Sequence, residues 1–292
     1  MADARMSNYI ALDGERIALC EWPLERGQRR RGTFLIVHGL GEHAGRYEVL
    51  AERLNSWGFA VFAYDQYGHG DSGGARGTLP TPTRLLDDLA DMIDSTQRHL
   101  DPEEPLILLG HSMGGLVAAR LVSLKLRHVD ALVLSSPALD AGMSRWQKLL
   151  IRVLLRLNPD LTVGNGLDPR LLSHEPAVVQ GYLNDPLVHD RISARLAQFI
   201  AESGPAVLAA APQWRVPTLL LYAGADQLVN PEGSREFAHR APPGVVSAHR
   251  FETLYHEVFN EERRETVLLQ LQRWLDALYP AFSPQPQRQL VS

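Results

Sequence analysis

Gly110-His-Ser-Met-Gly114 sets a lone hydroxyl, Ser112, between the apolar run Leu106–Leu109 and a small-residue helical pattern, Met113–Leu126. G-x-S-x-G between a strand and a helix is the arrangement in which a sharp turn holds a nucleophilic serine above a sheet. The turn is so tight that bulky neighbours would clash, which accounts for glycines at 110, 114 and 115. At a helix N-terminus a developing negative charge is also favoured. The bare five-residue pattern is a weak signal, and a strand–helix turn with an idle serine remains the alternative.

A serine nucleophile needs a histidine base and an acid that orients it, expected here in the order Ser, Asp or Glu, His. Six histidines follow Ser112. His128, His174 and His189 precede the late strand patterns; His239 lies in a helical pattern and His249 in a strand pattern. His256 alone falls in a loop between the last strand and the last helix, in Tyr255-His-Glu-Val-Phe-Asn260. The acid is Asp226, in a small-residue turn that ends the run Leu219–Tyr222. Taken singly, Asp226 could cap the helix that begins near Pro231, and His256 could cap the final helix. Together with Ser112 they compose a catalytic triad.

Such chemistry also needs hydrogen-bond donors for the oxyanion. Phe34-Leu-Ile-Val-His-Gly-Leu-Gly-Glu-His43 ends an early strand in a His-Gly turn, so one donor is the Leu40 N–H and the other the Met113 N–H. His38 reads as a residue that holds this loop by hydrogen bonds. In Asp65-Gln-Tyr-Gly-His-Gly-Asp-Ser72 the aspartate and glycines read as fixing loop shape.

The elements that must position these groups follow from patterning. Tyr9–Leu12, an Asp13-Gly14 turn and Arg16–Cys20 suggest an N-terminal hairpin. Apolar runs at 33–37, 60–64, 106–109, 131–134, 218–222 and 246–251 alternate with helical patterns at 47–57, 83–99, 113–126, 231–240 and 257–278. Continuous apolar strands separated by helices imply a parallel sheet covered on both faces, an α/β architecture. The interval 138–213 breaks the alternation, with helical segments and prolines but no clear strand. It is expected to be a helical cap inserted between a core of residues 1–137 and 214–280. The polar stretch Ser283–Arg288 within 281–292 reads as a frayed tail.

Composition bounds the function. The chain has 292 residues, 45% of them hydrophobic and 22% charged, ordinary values for a globular protein. A net charge of −5 gives no reason to expect nucleic acid. The single cysteine, Cys20, precludes an internal disulfide and suits a reducing cytoplasm. Residues 1–7 have no apolar core of the secretory kind, and no run approaches the roughly 18 apolar residues of a membrane span. A cytoplasmic protein is the expectation.

The segments HGLGEHAGRYE, YDQYGHGDSGG, GHSMGG, the AGAD turn and YHEVFNE together resemble the monoacylglycerol lipase and lysophospholipase branch of the α/β-hydrolases. The resemblance implies an α/β-hydrolase fold, a mostly parallel central sheet with a helical lid, and a serine hydrolase with Ser112, Asp226 and His256 as triad. It implies no metal and no organic cofactor, and a lipid or small ester as substrate, monoacylglycerols first. It also implies that Glu42 and Arg46 organise a polar wall for the glycerol head group; a surface ion pair is the alternative for that pair. The residue matching Leu40 is often smaller in this branch, which implies a head-group pocket of different shape here. A short-chain esterase, lysophospholipase or thioesterase on the same triad, or a ligand-binding homologue without turnover, are the competing readings.

The cap carries a second signal. In Met143–Leu157 the basic residues Arg145, Lys148, Arg152 and Arg156 line one stripe of a helix, opposite Met143, Trp146, Leu150, Val153, Leu154 and Leu157. Either this helix packs on the core with a solvated basic edge, or it touches a membrane surface or walls an acyl tunnel.

Overall fold

The computed structural model describes residues 4–25 and 27–281. In chain order its regular elements are β1 (Arg5–Ile10), β2 (Arg16–Trp22), β3 (Gly32–Val37), α1 (Glu48–Ser56), β4 (Phe59–Tyr64), α2 (Arg84–Gln97), β5 (Leu106–His111), α3 (Ser112–Leu124) and β6 (Ala131–Ser135). There follow α4 (Arg145–Leu157), β7 (Thr162–Gly164), α5 (Pro176–Asn184), β8 (Arg191–Ser193), α6 (Ala194–Ala210), β9 (Thr218–Ala223), α7 (Pro231–Arg240), β10 (Val246–Phe251) and α8 (Arg264–Leu278).

One eight-stranded sheet, in the order β1-β2-β4-β3-β5-β6-β9-β10, runs through the molecule. The hairpin β1–β2 joins β4 antiparallel, and every pairing from β4 to β10 is parallel. The inner parallel strands β3, β5, β6 and β9 are buried on both sides because helices cover both faces, while the edge strand β10 is partly exposed. Phe34, Ile36, Ile107 and Leu109 point into one core with Leu50 and Leu54 of α1 and Leu271 and Leu275 of α8. Leu35, Val37, Leu106 and Leu108 point into the other, with Leu85 and Leu89 of α2, Leu116 and Leu121 of α3 and Phe199 of α6. Truncating a core leucine of this kind to alanine costs about 2–5 kcal/mol.

The topology chooses where chemistry can occur. From β3 the chain first extends the sheet toward β4 and then crosses to β5 on the other side. In open α/β sheets, ligands bind at the carboxyl ends of the strands that flank such a reversal. The loops carrying Leu40, Ser112, Asp226 and His256 follow β3, β5, β9 and β10, all at that end.

Two expectations need correction. The interval between β6 and β9 does contain strand: β7 and β8 pair antiparallel, each only three residues long and too short to show a period. The helical pattern at 257–278 is broken into a 3-10 turn, Val258–Asn260, and α8. The break falls at Glu261, whose carboxylate accepts the Tyr255 N–H at 2.6 Å and contacts His174 Nδ1 at 2.8 Å. The pattern at 47–57 is preceded by a 3-10 turn, Ala44–Tyr47. The reading of Ser283–Arg288 lies outside the described residues.

Candidate active site

β5 delivers Ser112 to the first position of α3 in a left-handed conformation, φ +53°. For a residue with a Cβ this costs about 1–2 kcal/mol and persists only where the surroundings enforce it. They do: a Cβ at Gly114 would lie 2.1 Å from the Val37 carbonyl oxygen, and one at Gly110 2.5 Å from that of Gly114. The two glycines let α3 start pressed against β3 and β5, and the serine is thrown outward.

Asp226 and His256 meet directly. His256 Nδ1 and Asp226 Oδ2 are 2.7 Å apart, with side chains 4% and 2% exposed. The other carboxylate oxygen accepts the N–H groups of Leu228 at 2.9 Å and Val229 at 3.0 Å, which fixes the acid. Burial pushes the Asp226 carboxyl up, but the charge and hydrogen bond of His256 and those two N–H groups outweigh it and leave it below its ordinary value. Burial likewise pushes His256 down, and Asp226, with lesser help from Glu257 and Glu42, more than reverses this and raises it. With its proton on Nδ1 facing Asp226, His256 presents Nε2 as a base.

His111, the residue before Ser112 in the chain, lies against this pair. The His111 and His256 rings stand 4.8 Å apart between centroids. His111 is buried, and burial, then the neighbouring His256, holds it down to about 4, so it stays neutral. Its Nδ1 lies 3.0 Å from Ser135 Oγ.

The loop after β3 passes over the serine. A Cβ at Gly39 would lie 3.3 Å from that of Ser112, so Leu40 follows a residue in close contact with the serine. The Met113 N–H, in the first turn of α3, has no acceptor within its own helix. His38 holds the loop as expected: its Nδ1 donates to the Gly39 carbonyl at 2.7 Å and its Nε2 accepts the Gln66 N–H at 2.9 Å. Asp65 fixes the neighbouring loops by accepting the Ala44 and Asp71 N–H groups, each at 2.7 Å.

Glu42 and Arg46 do not form a surface pair. Arg46 donates to Glu42 and makes a two-point contact with Glu257, 2.7 and 2.9 Å. Glu42, Arg46 and Glu257 side chains are 5%, 11% and 4% exposed. Burial pushes Glu42 up, but Arg46 outweighs it and brings the carboxyl down to about 2. With His111, Ser135 and Asn260 the three line a cavity of about 20 Å³, room for roughly one water molecule. Glu257, Asn260 and His111 were not singled out as site residues from the sequence. Glu257 was in view, since it follows His256 in the chain, but its partner Arg46 is 211 residues away. Among the described residues no group of three or more His, Cys, Asp or Glu side chains could hold a metal ion.

Residues 28–263 match the family described as serine aminopeptidase, S33 (Hydrolase_4). The chain is 33% identical over 271 residues to a monoacylglycerol lipase of Mycolicibacterium smegmatis, covering 92% of this chain and 95% of that one. It is 34% identical over 274 residues to an uncharacterized abhydrolase domain-containing protein of Dictyostelium discoideum, of whose length it spans 29%. Among solved structures it resembles a crystal structure of Paleococcus ferrophilus monoacylglycerol lipase, with a TM-score of 0.80 and 35% identity over 93% of this chain and 99% of that one. The sequence resemblance to the monoacylglycerol lipase branch and the expected fold are thereby borne out, and the chain belongs to the serine aminopeptidase, S33 family of α/β-hydrolases.

Proposed function

We propose that this chain is a serine carboxylester hydrolase whose preferred substrates are monoacylglycerols. Ser112 attacks the ester carbonyl while His256 Nε2 takes its proton. The N–H groups of Leu40 and Met113 hold the oxyanion, and Asp226 fixes the imidazole tautomer and stabilises the imidazolium. His256 then protonates the departing glycerol oxygen. In the second half, His256 draws a proton from water, which attacks the acyl-enzyme and releases the fatty acid. The observation that carries this reading is the buried 2.7 Å pair of His256 and Asp226, together with a serine held at positive φ in the turn from β5 into α3.

Residues 138–213 act as the cap over the acyl chain, and Glu42 and Arg46 contribute a polar wall on the glycerol side. Peripheral contact with membranes runs through α4. Its Ile151, Leu154 and Leu155 are half-buried toward the protein, while Trp146, Leu149, Leu150, Val153 and Leu157 are exposed, Trp146 by 79% and Leu157 by 77%. Of the apolar face expected opposite the basic stripe, Leu154 thus packs toward the protein, while Trp146, Leu150, Val153 and Leu157 stay exposed. Arg145, Arg152 and Arg156 are exposed beside the apolar flank. That combination suits a helix lying in a lipid interface. Among the described residues no helix is long and apolar enough to cross a membrane.

The test is a rate panel of monoacylglycerols, triacylglycerols, lysophospholipids, thioesters and p-nitrophenyl esters. Monoacylglycerols should have the highest kcat/KM, and a clear preference for any other class would overturn the substrate assignment.

A further inference from the structure

Glu42, Arg46 and Glu257 amount to two carboxylates around one guanidinium, a surplus negative charge in a nearly dry site. Buried ion clusters of this kind are poor devices for stability, because desolvation consumes most of the attraction and apolar residues of similar volume do as well or better. A different role is visible in what the cluster joins. Glu42 Oε1 accepts the N–H of Gly39, the residue before Leu40, and the hydroxyl of Tyr47 at 2.7 Å. Glu257 follows His256 directly, and its carboxylate is also held by Asn260 Nδ2 at 2.8 Å. The chain Gly39–Glu42–Arg46–Glu257 therefore runs from the loop that presents the oxyanion donor to the loop that presents the base.

The charges around His256 give the cluster a second consequence. Asp226 meets the ring from the turn after β9 and neutral His111 from the end of β5; the charges of Glu257, in the same loop, and of Glu42, in the loop after β3, also act on it, and Arg46 is held between those two carboxylates. His256 becomes an imidazolium during turnover, and the surplus charge of the cluster favours that form.

We propose that Glu257 is a positioning residue: through Arg46 and Glu42 it locks the oxyanion loop to the histidine loop, and the cluster's surplus negative charge supports the imidazolium of His256. This rests on the triad reading given above. The experiment follows the acid limb of kcat/KM on a soluble p-nitrophenyl ester in the full chain, for wild type, Glu257→Gln, Glu257→Asp and Arg46→Gln. Glu257→Gln removes a negative charge and should move the limb to lower pH, with kcat down 10- to 100-fold and KM within about threefold. Arg46→Gln removes the positive charge and should move the limb to higher pH. Glu257→Asp keeps the charge and should keep the wild-type limb while losing part of kcat. Melting curves verify that each variant is folded; should Arg46→Gln fail to fold, the opposed behaviour of Glu257→Gln and Glu257→Asp decides. Limbs displaced in the same direction for Glu257→Gln and Arg46→Gln, or wild-type kcat and limb in Glu257→Gln, would overturn the proposal. Retention of activity in Ser112→Ala would instead strike the triad reading beneath it.

Discussion

Ser112 and Gly114 are bound by one steric fact: the serine can sit at φ +53° because α3 begins where a Gly114 side chain would collide with the carbonyl of Val37. The position of Ser112 is therefore a property of how α3 seats on β3. Gly114→Ala is expected to destabilise the protein by about 1–3 kcal/mol through overpacking, and by more if the backbone cannot yield. Whatever protein folds should lose most esterase activity. Urea unfolding and a p-nitrophenyl ester assay on the same preparation measure both.

The three triad residues should behave as one unit. Ser112→Ala and His256→Ala are each expected to lower kcat by on the order of 10⁴–10⁶, with the double variant little worse than either. Asp226→Asn should lose on the order of 10⁴, because the amide favours the wrong tautomer of His256. Steady-state kinetics on purified proteins show whether the effects fail to add. Full additivity of Ser112→Ala and His256→Ala would break the unit apart.

The pH dependence of rate has a defined sign. The proposed mechanism needs His256 neutral, and its ionisation is raised above the ordinary 6.5, chiefly by Asp226 against the pull of burial. The acid limb of kcat/KM is therefore expected above pH 6.5. A limb below that value would mean that burial of His256 outweighs Asp226.

A separate pH effect concerns stability. Burial pushes Asp88 on α2 up to about 6, despite the Arg84 side chain 2.8 Å away. The folded state then binds this proton more tightly than the unfolded state, whose carboxyl titrates near 3.8. The penalty for ionising Asp88 is absent below that value, grows as pH rises from about 4 to about 6, and is constant above. Over that window wild type should lose on the order of 1–3 kcal/mol relative to Asp88→Asn. Urea midpoints of the two proteins at pH 4.5 and 7.5 give the difference, and an equal gap at both would contradict it.

Much of this was legible because it is local. The turn at Ser112, the loop position of His256 and the strand-end Asp226 each carry their signal within a few residues, and parallel-sheet strands read as continuous apolar runs. What was not legible depends on partners distant in the chain. Nothing in the sequence near Arg46 says that Glu257 will meet it. Three-residue strands such as β7 and β8 have no measurable period. The rotation of α4, which turns Leu154 toward the protein and leaves Leu149 outside, is set by α4's packing against α6 and not by its own pattern.

For the surface of α4, charge reversal at Arg145, Lys148, Arg152 and Arg156 together is expected to abolish binding to anionic vesicles, since each basic residue near such a surface contributes about 1 kcal/mol. Activity on a soluble ester should be unchanged. Absence of vesicle binding by wild type at low salt would reduce α4 to a cap helix.

The most direct measurement is the mass of the protein after reaction with a fluorophosphonate, followed by peptide mapping. One phosphonyl group per chain is expected, on the Ser112 hydroxyl, with labelling strongly slowed in His256→Ala. Stoichiometric label on another residue, or an active esterase that takes no label at Ser112, would contradict the assignment of the nucleophile and everything built on it.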